Sequence, residues 1–136
     1  MNAPGRVTVA FATAGALLCG IAAVLGAVGS HVVATRLDPA ELASWNTAVS
    51  FQFWHGLGLL AVAWTCDRRP ASNVAIAAGV LMLVGTLLFS GSIYFARLGI
   101  TTASGPAAPL GGTALIAGWC ALALAWALAR RGTSDA

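Results

Sequence analysis

Gln52 and His55 stand three residues apart inside an apolar run, Trp45 to Cys66, that contains no charged side chain. Three-residue spacing puts both on one face of a helix. An amide beside an imidazole can hold a small polar ligand, pass a proton, or tie one helix to a carbonyl of the next. In a later apolar run Thr86, Ser90 and Tyr94 recur at four-residue steps, a second polar stripe. Trp119 adds an indole N–H in the last run, a donor that needs an acceptor. His31 is the only other histidine and follows Gly26-Ala27-Val28-Gly29-Ser30. His31, Gln52, His55, Ser90, Tyr94 and Trp119 are therefore the candidate ligand-binding residues. Structural hydrogen bonding is the first reading of His55, proton or ligand handling the second, and metal or haem ligation a distant third. Along the membrane normal His31 and His55 are expected about 10–15 Å apart, too far to share an iron. No cofactor and no metal site are expected. Asp38, Glu41, Asp67 and Asp135 all lie outside the apolar runs. No nucleophile–base pair can thus be placed at one depth, no catalytic residue is assigned, and a non-enzymatic protein is expected.

Composition says what must hold these residues. Of 136 residues 59% are hydrophobic and 8% charged, with a mean hydropathy of +0.86. A soluble domain carries roughly 25% charged residues, so this chain cannot wet a globular exterior. That excludes an ordinary soluble enzyme and a disordered tail. The net charge of +3 comes entirely from arginines among the bases, and they flank apolar runs singly or in pairs. A nucleic-acid partner would need a clustered basic face, and none is expected. Cys19 and Cys120 fall within apolar runs, and no metal-ligand or redox spacing joins either to Cys66. They read as small packing residues, with no disulfide framework.

Four apolar runs, about 7–33, 45–66, 74–96 and 109–129, each reach the roughly 20 residues a membrane helix needs. Hydrocarbon cannot solvate backbone amides, so each must close its own hydrogen bonds as a helix. The expected fold is all-α: a single transmembrane domain over residues 1–136, an integral membrane four-helix bundle with antiparallel neighbouring spans. The first run is too long for the 7–15-residue core of a signal peptide and is read as a retained helix. Arg6, Arg68, Arg69, Arg130 and Arg131 fall on one side of such a topology and Arg36 and Arg97 on the other. The positive-inside rule then places both termini in the cytoplasm of a bacterium, with the chain in its inner membrane. Trp45, Trp64, Tyr94 and Trp126 lie near span ends, where aromatic rings favour the headgroup level.

The second helix should begin before the membrane. Asp38-Pro39-Ala40-Glu41 has an acidic N-cap, proline at the first helical position and glutamate three residues after the cap. Small residues must drive association of the helices, because lipid is as apolar as leucine. Gly15, Cys19, Ala22, Gly26 and Gly29 form one such seam, and Gly111, Ala114, Gly118, Ala121 and Ala125 another. Ala78, Gly85 and Ser92 repeat every seven residues in the third run. The helix-packing set is Gly15, Ala22, Gly26, Gly29, Gly85, Gly111 and Gly118. Residues 105–112, rich in glycine and proline, read as a rigid turn into the fourth helix. The expected partners are the lipid bilayer and either another membrane protein or a second copy.

These segments together resemble a known family. Gly26-Ala27-Val28-Gly29-Ser30-His31 is similar to its motif at the end of the first span, and residues 45–55, from Trp45 to Phe51-Gln52-Phe53-Trp54-His55, to its second-span motif. Residues 85–94, and Pro109-Leu110-Gly111-Gly112 followed by Gly118-Trp119, resemble its third and fourth. The family is domain-of-unknown-function family 423, of YgdD-like proteins and transmembrane protein 256. Phe51 stands where that family usually has tyrosine and Ala108 where it often has threonine, so neither hydroxyl role carries over. The resemblance implies a small four-span inner-membrane protein and implies no reaction.

Overall fold

Asp38 opens the most polar of the helices. Its carboxylate accepts from the Glu41 amide at 2.8 Å, and Glu41 reaches back to the Asp38 amide at 3.2 Å, a complete capping box with Pro39 at the first helical position. The helix it starts, α2, runs Pro39–Arg68 and rises about 45 Å. In the computed structural model, which describes residues 4–69, 72–100 and 105–131, three further helices accompany it. They are α1 (Arg6–His31), α3 (Asn73–Arg97) and α4 (Ala107–Arg131). α1 continues through Gly26 and Gly29 to His31, and a single 3₁₀ turn, Val33–Thr35, leads toward the capping box. Ser72 caps α3 by accepting from the Ala75 amide. Pro109 lies inside the first turn of α4, where its missing N–H has no intrahelical acceptor to lose.

α1 packs on α2, α2 on α3 and α3 on α4, so the helices alternate in direction and α2 and α3 form the middle of the bundle. The end carrying the α1–α2 connection and the start of α4 is called distal below, and the end carrying the α2–α3 connection proximal. α1, α3 and α4 are each long and apolar enough to cross a membrane. α2 falls short of that standard because Glu41, Ser44, Asn46, Thr47, Ser50 and Gln52 crowd its distal half, with His55 just past its midpoint. Of these, Glu41 bonds α3 and Gln52 bonds α1, while Ser44, Thr47 and His55 bond carbonyls of α2 itself.

Two pairs of glycines set the closest approaches. A Cβ on Gly15 would lie 2.7 Å from the Gly56 carbonyl oxygen, and one on Gly56 would lie 2.9 Å from that of Gly15. A Cβ on Gly85 would meet the Gly111 carbonyl at 3.0 Å, and one on Gly111 the Phe89 backbone nitrogen at 2.5 Å. Backbones touch at both seams, which is how packing replaces the hydrophobic effect between membrane helices. Gly118 sits against Met82 in the same way and Gly29 against the Trp45 indole. Ala22 is buried, while at Gly26 an added Cβ would make only ordinary contact with Val49. Ser92 is half-buried and spends its hydroxyl on the Phe89 carbonyl of its own helix.

Two aromatic residues differ from the sequence expectation. Trp45 is 1% exposed and Tyr94 9%, so both are core side chains and not rings standing in lipid at the headgroup level. The reason is mutual: their ring centroids are 4.8 Å apart, and the Trp45 indole N–H donates to the Leu25 carbonyl of α1 at 3.1 Å. Trp64 and Trp126 are exposed to the surroundings.

Candidate functional site

The candidate residues come from three helices, and α2 divides them between two of its sides. On the side toward α1 and α3, the Gln52 amide donates from Nε2 to the Leu18 carbonyl of α1 at 3.0 Å. From α3, the Ser90 hydroxyl donates to the Ala48 carbonyl of α2 at 2.9 Å. Thr86, one turn earlier, turns back on its own helix to the Met82 carbonyl at 2.7 Å. With the Trp45 bond to Leu25, these contacts link α1 to α2 at two levels and α2 to α3 at one. Each acceptor is a helix carbonyl with a second lone pair available, so no backbone bond is lost.

His55 is buried and belongs to the other side. Its Nδ1 lies 2.6 Å from the Phe51 carbonyl one turn earlier. A carbonyl only accepts, so Nδ1 carries the proton in this contact. The imidazole centroid is 6.1 Å from that of Trp119 on α4, whose indole also packs against Gly58. Phe51 stacks on Phe89 of α3 at 4.7 Å beside them. Trp119 is 43% exposed.

The structure thus joins Gln52, Ser90 and Tyr94 on one side of α2 and His55 and Trp119 on the other. His31 joins neither group: it is exposed in the last turn of α1. Among the described residues no three His, Cys, Asp or Glu side chains come together as a metal-binding group. Cys19, Cys66 and Cys120 are free thiols, and Cys66 is buried.

Four features escape a reading by residue type and spacing. Gly56 and Gly58 on α2 and Gly79 on α3 are the partner surfaces for Gly15, Trp119 and Phe11. Trp126 donates from its indole to the Thr65 hydroxyl at 2.9 Å, tying α4 to α2 proximally. Arg97 at the end of α3 pairs with Glu41 of the capping box, Nη1 to Oε1, at 2.9 Å. One cleft also opens between α1 and α3 and another between the α1–α2 connection and the end of α3, and Tyr94 Oη and Arg97 Nε, on residues lining them, are buried without a hydrogen-bond partner. Of these, only the glutamate-to-arginine complementarity had a signal in the sequence, two opposite charges each at the distal end of a helix.

A helical bundle with glycine seams, apolar flanks and interior polar groups bonded to helix carbonyls defines an all-α integral membrane protein. Comparison with known proteins agrees. The chain matches the family described as Protein of unknown function (DUF423) over residues 25–112, and it belongs to that family. It is 35% identical over 115 residues to the UPF0382 membrane protein YwdK of Bacillus subtilis, covering 85% of this chain and 94% of that one. It is 33% identical over 111 residues to the UPF0382 inner membrane protein YgdD of Escherichia coli, covering 81% and 84%. A UPF0382 membrane protein of Schizosaccharomyces pombe is 35% identical over 114 residues, covering 79% and 93%. No solved structure matches.

Proposed function

We propose that this chain is a non-catalytic accessory protein of the bacterial inner membrane, with both termini in the cytoplasm, that works by associating with another membrane protein. The inner-membrane assignment is supported by the name of the Escherichia coli relative and the orientation by the five-to-two arginine distribution. Interior polarity argues for a scaffold: Gln52, Ser90, Trp45 and His55 all spend a donor on a backbone carbonyl.

The observation that carries association is a polar stripe on the open side of α2. Asn46, Thr47 and Ser50 line a shallow groove of about 460 Å³ bordered by Ala43, Phe51 and Trp54. Asn46 lies about 14 Å from the middle of the apolar run 45–66, at the edge of the roughly 15 Å half-thickness of the hydrocarbon. Its amide has no hydrogen-bond partner among the described residues, and in lipid such a group gains by meeting a polar residue on another helix.

Site-specific photocrosslinking in native membranes tests the proposal. A crosslinker at Ser50 is expected to yield a discrete protein adduct, and one at Leu17 on the lipid side of α1 is not. An adduct at twice the chain mass would identify a second copy in place of a different protein. If both positions gave lipid adducts alone, association through α2 would be refuted. The competing reading, ligand or proton handling at His55, predicts instead a bound small molecule that His55→Ala removes.

A further inference from the structure

Among the described residues, the buried side-chain donors without a hydrogen-bond partner are Tyr94 Oη and Arg97 Nε. They sit three residues apart on α3, one turn from each other along the helix and about 60° apart around it. Tyr94 lines a cleft between α1 and α3, and Arg97 one between the α1–α2 connection and the end of α3. The lower cleft, of about 180 Å³, has apolar walls from Leu18, Ile21 and Leu25 and a floor at Gln52, with Tyr94 at its distal end. The upper cleft, of about 200 Å³, lies between Val28, Leu37, Arg36 and Arg97. Leu25 of the lower cleft and Val28 of the upper are one turn apart on α1, as Tyr94 and Arg97 are on α3, so the two clefts lie at successive levels of the bundle.

Depth gives the sequence of groups a meaning. Tyr94 lies nine residues beyond Gly85, the middle of α3, or about 13 Å toward the distal end. The hydrocarbon of one leaflet ends at about 15 Å from the bilayer centre. Moving outward, the two clefts therefore offer an apolar trough, then a hydroxyl at the hydrocarbon edge, then guanidinium groups about one helical turn further. A glycerophospholipid presents its acyl chain, its ester carbonyl and its phosphate in that same order.

We propose that the two clefts together bind one glycerophospholipid from the leaflet at the distal end. One acyl chain lies along Leu18, Ile21 and Leu25, the Tyr94 hydroxyl donates to an ester carbonyl, and Arg36 and Arg97 take the phosphate. Glu41 holds one arm of Arg97 and leaves Nε and the Arg36 guanidinium for the phosphate oxygens. A guanidinium suits that task because its fixed fork of donors matches phosphate geometry. The lower cleft equals about six liquid-water volumes, room for part of one chain, and it opens sideways so that the remainder stays in the bilayer.

Native mass spectrometry of the full chain, delipidated in detergent and titrated with palmitoyl-oleoyl phosphatidylglycerol, tests this. One lipid per chain is expected. Tyr94→Phe keeps the ring on Trp45, and Arg36→Gln alters an exposed side chain, so both variants are expected to fold. Each should weaken binding roughly threefold to tenfold, the value of one hydrogen bond to a lipid oxygen or phosphate. The wild type should prefer the ester lipid over its ether analogue, and Tyr94→Phe should lose that preference. Inorganic phosphate in large excess should displace no lipid. Equal binding by the wild type and both variants, equal binding of ester and ether lipids by the wild type, or displacement by phosphate would each overturn the assignment.

Discussion

Gly111 offers a sharp test of whether backbone contact holds the bundle. Replacing it with alanine puts a methyl group 2.5 Å from the Phe89 nitrogen, 2.8 Å from the Gly85 carbonyl oxygen and 2.9 Å from the Phe89 Cα. All three neighbours are main-chain atoms of α3, so no side chain can swing aside. Restoring ordinary contact near 3.4 Å requires α4 to move out by about 1 Å. Overpacking of this kind costs about 1–3 kcal/mol, against which alanine recovers about 1 kcal/mol of helix propensity over glycine. A net loss of about 1 kcal/mol is expected, and more if Leu115 loses its seat beside Gly85. Gly91 is the control, because an added Cβ there meets nothing within 4 Å. Gly91→Ala should therefore be neutral or stabilising by up to about 1 kcal/mol. Unfolding by sodium dodecyl sulfate in mixed micelles, followed by circular dichroism or Trp fluorescence, reads both variants on one scale. Opposite signs support contact at the α3–α4 seam. If Gly111→Ala were as stable as the wild type, or Gly91→Ala as weak as Gly111→Ala, the backbone-contact argument would fail.

Three further outcomes follow from the same geometry. Ser90→Ala removes the only described hydrogen bond from α3 to the α2 backbone at this level and should cost about 0.6 kcal/mol, the mean for such bonds between membrane helices, by the same unfolding assay. A loss above about 3 kcal/mol would mean that Ser90 does more than tie two helices. Asp38→Ala removes the N-cap of α2 and should cost about 1 kcal/mol, with hydrogen exchange faster at Glu41 and Leu42 and unchanged near Leu59; uniform acceleration would refute a local role. Because Cys66 is buried, topology is best read from Asp67→Cys in a chain whose own cysteines are replaced by alanine. A membrane-impermeant maleimide should label it only after the cytoplasmic face is opened, and labelling of intact cells would reverse the orientation.

Local rules were easy to see in the chain because they act over a few residues. The capping box needs only Asp38, Pro39 and Glu41 in order, and the structure contains it. The small-residue seams announced themselves by spacing, but Gly56 did not, since which turn of α2 meets Gly15 depends on the register between two helices. Gln52 and His55 share a broad face by sequence, yet three residues turn a helix through 300°, leaving the two side chains about 60° apart. That angle is enough to aim Gln52 at α1 while His55 packs beside Trp119 of α4. Trp45 and Tyr94 misled for another reason: a ring near a span end suits the headgroup layer, but a ring with an acceptor in the bundle suits the core as well. The Leu25 carbonyl and the facing Tyr94 ring decide it for Trp45. No periodicity displays a cleft, so the partnerless Tyr94 hydroxyl became visible only in three dimensions.

The uneven polarity of the helices also bears on how the chain enters a membrane. A solitary α2 would carry the Trp45 and Gln52 donors into hydrocarbon away from their acceptors, whereas α1 would insert readily by itself. The acceptors for Trp45 and Gln52 are the Leu25 and Leu18 carbonyls, both on α1, the segment synthesised immediately before. Entry as a hairpin thus shields two donors at once, while Ser90 arrives with α3 to close the third bond. Biogenesis should accordingly run in pairs, with α1 acting as an internal escort for the helix that follows it. Lengthening the α1–α2 connection should then slow insertion of α2 far more than lengthening the α2–α3 connection slows that of α3.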